Sequence, residues 1–261
     1  MRKFTLIYLV IMIIGLTGCD PATIIGSGTS SETIKPSVTT NNAAEANLRL
    51  GIAYMREGEY EKALSKFQRA QEADKNYPPT YNALGILYQR LGDKAKAEEF
   101  FKKALSLNSN DAPTLNNYGQ FLCQNSRFDE AETAFMKAAR NPLYSTPEIA
   151  LSNAGTCAML EGNFDVAESH FRNALERNPR VAVALLQMSQ LSYEASNHLS
   201  ARAYLQRYLE ISAHTAKSLW LGINIETELG DKNALSSYNL LLKNKFPDSK
   251  EAQLLKDTSN D

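Results

Sequence analysis

Groups that carry chemistry are scarce in this 261-residue chain, which holds three histidines, three cysteines and one tryptophan. His170, His198 and His214 form neither an HExxH motif nor an i, i+4 pair, so a helical zinc-hydrolase site is excluded. Solvated or capping roles are expected for all three. The sequence contains no glycine-rich phosphate loop and no nucleophile elbow. Charge of one sign is also lacking: 28 Lys and Arg against 29 Asp and Glu leave a net charge of −1, with no basic face for nucleic acid. These absences predict a non-enzyme with no metal, no cofactor, no small-molecule substrate and no nucleic-acid partner.

Long hydrophobic runs are missing as well. Phe4 to Leu16 is apolar for 13 residues, short of the roughly 20 that span a bilayer. Arg2 and Lys3 precede it, and Leu16-Thr17-Gly18-Cys19 closes it. That arrangement reads as an export signal over residues 1–18. Its end resembles a bacterial lipobox, which implies cleavage before Cys19, lipidation of Cys19 and attachment to a membrane through that lipid. An ordinary signal peptide with a chance cysteine is the alternative. From Pro21 to Ala43 the composition shifts to Ser, Thr, Gly, Asn and Pro, too poor in apolar residues to order itself. Residues 19–43 are therefore expected to be a flexible tether with a reach of roughly 25 Å.

What the chain has in abundance is register. Gly51, Gly85, Gly119, Gly155, Ser189 and Gly222 recur at steps of 34, 34, 36, 34 and 33 residues. In phase with them run Ala63, Ala97, Ala131, Ala167, Ala201 and Ala234, and four residues later Phe67, Phe101, Phe135, Phe171, Leu205 and Tyr238. Ala70, Ala104, Ala138, Ala174, Tyr208 and Leu241 close the units. Within one unit, Tyr81, Leu84, Gly85 and Tyr88 fall on one helical face. Gly92-Asp93 breaks that helix, with Asp93 as cap of a second. The small positions let two helices approach, and the aromatic fills the space between pairs. This pattern resembles the tetratricopeptide repeat (TPR). It implies an all-α, right-handed superhelical solenoid of six helix pairs, at 44–77, 78–111, 112–147, 148–181, 182–214 and 215–249. A short capping helix and frayed tail follow at 250–261. Unit five is degenerate at Ser189, Leu205 and Tyr208, and its apolar run from Val181 to Met188 is read as buried helix rather than strand.

A helix-pair solenoid shifts expectation from catalysis to binding. First helices line the concave face, where the second, fifth, ninth and twelfth positions should be exposed. The partner-binding groove expected from this rule comprises Leu48, Ile52, Met55, Asn82, Ile86, Gln89, Asn116 and Gln120. It is nearly uncharged, with aliphatics at the N-terminal end and amides able to hold a peptide backbone. Cys123 and Cys157 lie on neighbouring first helices, so export would allow them to bridge; two small buried thiols are the alternative.

Several stretches outside the repeat signature narrow the family. They are Asn116-Asn-Tyr-Gly-Gln-Phe-Leu-Cys123, Asn141-Pro-Leu-Tyr-Ser-Thr-Pro147, Asn153-Ala-Gly-Thr-Cys157, Ser218-Leu-Trp-Leu-Gly-Ile223 and Phe246-Pro-Asp-Ser249. With the lipobox they resemble the type IV pilus biogenesis lipoproteins of the PilF and PilW family. The resemblance implies a pilotin, which binds the pilus secretin and promotes its outer-membrane localisation and multimerisation, and so supports pilus biogenesis and stability. Its address would be the periplasmic face of the outer membrane. Asp20, just after the lipidated cysteine, is associated in enteric bacteria with inner-membrane retention and leaves that address open. An envelope scaffold, or an activator of cell-wall enzymes, is the competing reading.

Overall fold

The computed structural model describes residues 40–258. The export signal, Cys19, Asp20, nearly all of the expected tether and the last three residues lie outside the described residues. All thirteen elements among the described residues are α-helices, twelve of them in antiparallel pairs. Unit one is α1 (Thr40–Arg56) with α2 (Tyr60–Ala73), and unit two is α3 (Pro78–Arg90) with α4 (Lys94–Leu107). Unit three is α5 (Ala112–Gln124) with α6 (Phe128–Ala139), and unit four is α7 (Pro147–Glu161) with α8 (Phe164–Arg177). Unit five is α9 (Ala182–Glu194) with α10 (His198–Leu209), and unit six is α11 (Ala216–Leu229) with α12 (Lys232–Lys245). A final helix, α13 (Lys250–Thr258), packs on both α11 and α12. Helix α1 begins four residues before the expected unit boundary, inside the stretch read as tether.

Local chemistry sets the ends of these helices. Asp93, Asp111 and Asp231 cap α4, α5 and α12 by accepting from the backbone N–H three residues on, each at 3.1 Å. Thr215 and Ser218 form a reciprocal capping box on α11. Pro78, Pro113 and Pro147 occupy the first turns of first helices, where a missing N–H costs nothing. All six pair turns pass through a left-handed residue. Gly58, Gly92, Gly162 and Gly230 hold φ between 72° and 89°, but Ser126 and Ser196 stand at φ 59° in units three and five.

The repeat series becomes packing inside each pair. Phe67, Phe101, Phe135 and Phe171 are fully buried. A Cβ added to Gly85, Gly119 or Gly155 would lie 2.7 Å from the ring of Phe101, Phe135 or Phe171. Glycine is required there because the ring edge occupies the space of a side chain. The apolar run of unit five is helix α9, with Leu185 and Met188 in the core.

The two extra residues of unit three form a turn after α6. Asn141 pins it, donating from Nδ2 to the Asn110 carbonyl at 2.7 Å while its Oδ1 accepts from Leu143 N at 2.9 Å. The expectation of solvated or capping histidines fails for His170, which is buried on α8 with Nε2 3.1 Å from Glu132 Oε2 on α6. It faces the neighbouring second helix rather than water. His198 opens α10 against Tyr193, and His214 precedes α11 beside Tyr238. Burial, and then the charge of Lys245, lower the pKa of His214.

Candidate functional site

The groove positions divide into two sets. Ile52, Asn82, Ile86, Gln89 and Gln120 are half-buried, with part of each side chain open to solvent. Leu48, Met55 and Asn116, expected to be exposed, are only 6% exposed each. Leu48 and Met55 instead join Phe67, Ala83, Leu84 and Leu87 in the core of the first two units. The fifth and twelfth positions of a unit point toward the next unit's first helix, so an apolar side chain there is covered by its neighbour.

Asn116 is buried for a related reason but remains polar: its Oδ1 accepts from Asn153 Nδ2 at 2.9 Å. One unit earlier, Asn82 Oδ1 accepts from Asn117 Nδ2 at 3.1 Å. Further along the same helices, Gln89 Nε2 donates to Gln124 Oε1 at 2.7 Å. These pairs form an amide ladder joining α3 to α5 and α5 to α7. Their separations of 35, 35 and 37 residues are each one longer than the local repeat step. The register therefore runs from the fifth position of one unit to the sixth of the next, and from the twelfth to the thirteenth. Asn117, Gln124 and Asn153 stand one residue out of phase with their partners, so matched repeat positions do not reveal them.

Between the rungs lies an open cavity of about 460 Å³ lined by Ile86, Gln89, Arg90, Asn117, Gln120 and Gln124. Each rung uses one donor and one acceptor, so each amide pair retains groups for a ligand. A chain laid across the cavity would meet amides alternating with the Ile86 side chain, with the Arg90 guanidinium at the rim. Arg90 also donates to the Met55 carbonyl at 3.4 Å, its link to unit one.

The groove is held on a stiff support. Glu98 on α4 accepts from Arg127 Nη1 at 2.8 Å and from Tyr118 OH at 3.0 Å, and Lys102 Nζ lies 2.8 Å away. Arg127 also forks onto both carboxylate oxygens of Glu130 at 2.7 Å. The hydrogen bonds from Lys102 and then Arg127 pull the Glu98 carboxyl down to about 2. Burial, and then the bond to the Glu98 carboxylate, push the Tyr118 phenol up to about 12. The structure joins Cys123 and Cys157 in a disulfide, Cα atoms 5.8 Å apart, tying α5 to α7. Closing a 34-residue loop stabilises by roughly 3–4 kcal/mol in the chain-entropy model.

Among the described residues no cluster of three or more His, Cys, Asp or Glu side chains has metal-binding geometry, and no helix is long and apolar enough to cross a membrane. The fold and groove together define a tetratricopeptide-repeat solenoid, a scaffold for protein–protein interaction. Three family models described as tetratricopeptide repeat match residues 42–109, 100–133 and 156–215. The chain is 29% identical over 243 residues to the type IV pilus assembly protein PilF of Pseudomonas aeruginosa, spanning 93% of this chain and 94% of that one. The solved P. aeruginosa PilF structure superposes with a TM-score of 0.76, covering 84% of this chain and 99% of that chain. PilW, a widely conserved type IV pilus biogenesis factor, superposes with a TM-score of 0.73 at 31% identity, covering 82% of this chain and 99% of that chain. The chain belongs to the PilF and PilW family of type IV pilus biogenesis TPR proteins.

Proposed function

We propose that this chain is a lipid-anchored pilotin: it binds the type IV pilus secretin through the groove of its first units and promotes secretin placement and multimerisation in the outer membrane. The observation that carries the binding role is the amide-lined cavity beside Ile86, which offers a polypeptide both backbone partners and an apolar contact. Neighbouring units hold that surface in place through the amide ladder, so little ordering is required on binding. The lipobox at Cys19 supplies the anchor in this reading. The role is one of binding, with no catalytic step.

Ile52→Glu combined with Ile86→Glu tests the groove, because both side chains are half-buried at the solvent edge of the core formed by Leu48, Leu84 and Phe67. The double variant should retain its helical circular dichroism while secretin multimers and surface pili are lost. Normal multimers in cells carrying it would defeat the groove assignment. Membrane fractionation tests the address. Recovery only with the inner membrane, as Asp20 would direct in enteric bacteria, favours an envelope scaffold, because a pilotin must accompany its client outward.

A further inference from the structure

A second surface lies at the pair turns of units three and four, built from none of the groove residues. Leu160, Phe164 and Val166 stand 67%, 51% and 38% exposed within seven residues of chain. Single exposed apolar side chains are ordinary, but a cluster of three around one turn marks an interaction site. Val166 lines an open cleft of about 290 Å³ that runs between the start of α6 and the end of α7 and reaches Phe128, Ala154 and Ala158. The cleft is mixed, with Asp129, Glu132, Glu161 and Asn163 beside those apolar side chains, so it suits an amphipathic visitor.

The turn of unit four is acidic, and the Arg127 cation on the turn of unit three is engaged by Glu98 and Glu130. From Glu148 to Phe171 the chain carries Glu148, Glu161, Asp165 and Glu168 and no Lys or Arg. Asp129 and Glu161 line the cleft itself, and Asp165 lies on the first turn of α8 between the exposed Phe164 and Val166. Asp129, Glu161 and Asp165 make no ion pair among the described residues, whereas Glu130, Glu132 and Glu168 each have a cationic or histidine partner. Three exposed carboxylates around a mixed cleft repel one another and an anionic lipid surface, and favour a cation.

We infer that this turn edge is a second docking face, which takes a basic amphipathic segment of a partner protein. The partner's apolar side chains pack on Leu160, Phe164 and Val166, and its Lys or Arg side chains meet Asp129, Glu161 and Asp165. Phe164 is the anchor, because aromatics dominate such contacts. The acids set orientation and association rate, and the rate falls with salt.

The test uses the full chain in detergent and two labelled 18-residue helical peptides, one of Lys and Leu and one of Glu and Leu, followed by fluorescence anisotropy. The Lys/Leu peptide should bind and weaken with added salt. The triple change Glu161→Gln, Phe164→Ser and Asp165→Asn should raise its Kd at least tenfold. A charge-matched control, Glu210→Gln with Glu228→Gln, removes the same two negative charges elsewhere and should bind as the unaltered chain does. A charge reversal, Asp129→Lys with Glu161→Lys, should gain binding to the Glu/Leu peptide, an outcome that no unfolding can imitate. The inference is overturned if the control loses as much affinity as the triple variant, if the unaltered chain binds both peptides equally, or if the reversal gains nothing. It is also overturned if the triple change abolishes a self-association seen in sedimentation, which would assign the face to a second copy.

Discussion

The Ser189 hydroxyl donates a 2.8 Å hydrogen bond to the carbonyl oxygen of Ala201, across the helix pair of unit five. In the four units before it, a glycine at that position lies against the phenylalanine ring of its own second helix. Unit five carries Leu205 in place of that ring, which leaves room for a Cβ and a hydroxyl. The serine fills the room and satisfies a carbonyl. Two departures from the repeat are therefore one compensated change.

Leu205→Phe alone should destabilise by about 1–3 kcal/mol, the usual cost of overpacking. Adding Ser189→Gly should recover much of that loss, since contacting pairs couple by about 0.5–3 kcal/mol. Urea unfolding of the two single variants and the double variant measures the coupling. Additive losses would mean that the two positions are independent.

The left-handed serines give a stabilising prediction. A non-glycine residue in that region carries about 1–2 kcal/mol of strain, and glycine brings back about 0.5–1 kcal/mol of chain entropy. Ser126→Gly and Ser196→Gly should each stabilise by about 0.5–1 kcal/mol, a rise of a few degrees in Tm by thermal circular dichroism. Gly92→Ala, at φ 78°, should shift Tm the other way.

The pair turns also mark the limit of what the sequence makes legible. Four turns announce themselves through Gly58, Gly92, Gly162 and Gly230; Ser126 and Ser196 carry the same conformation without a residue type that signals it. Small and aromatic positions repeat because each sits at a close approach within one pair, and that regularity made helix number, pairing and core readable. Leu48, Met55 and Asn116 were misplaced for the opposite reason. Their burial depends on how closely the next first helix lies, which repeat phase does not encode. The amide ladder was hidden because its partners occupy different phases. His170 gave no sign of its burial, because its contact is with Glu132 of the preceding unit, 38 residues away in the chain.

Stability should fall with acid through Glu98. Its folded pKa of about 2 lies below the ordinary value of 4.5. The contribution is therefore present above pH 4.5 and is lost as pH falls toward 2. Tyr118, raised from 10.0 to about 12, contributes below pH 10 and loses that contribution as pH rises toward 12. Glu98→Gln should flatten the acid limb of a Tm-against-pH curve and reduce the alkaline loss. An unchanged acid limb would show that Glu98 is not what titrates.

Reduction of the Cys123–Cys157 bridge should lower stability by roughly 3–4 kcal/mol. The double change of both cysteines to serine should melt at the temperature of the reduced chain. Thiol counting of protein purified without reductant checks the starting state, which should contain no free thiol from this pair.

The polar ties between units are spread unevenly, and this has a mechanical consequence. Units two to four share the Glu98–Arg127 network, the amide ladder, the disulfide and the His170–Glu132 contact. The side-chain ties from unit one to unit two are the Arg90–Met55 bond and the Tyr81 hydroxyl donating to the Lys75 carbonyl, and the next tie beyond unit four is Arg207 to the Pro179 carbonyl. Arg202 and the buried Glu226 then clamp units five and six. Under tension the array should behave as a spring with its middle coils welded. The first and fourth joints would yield at low load, while the cavity beside Ile86 keeps its shape under strain.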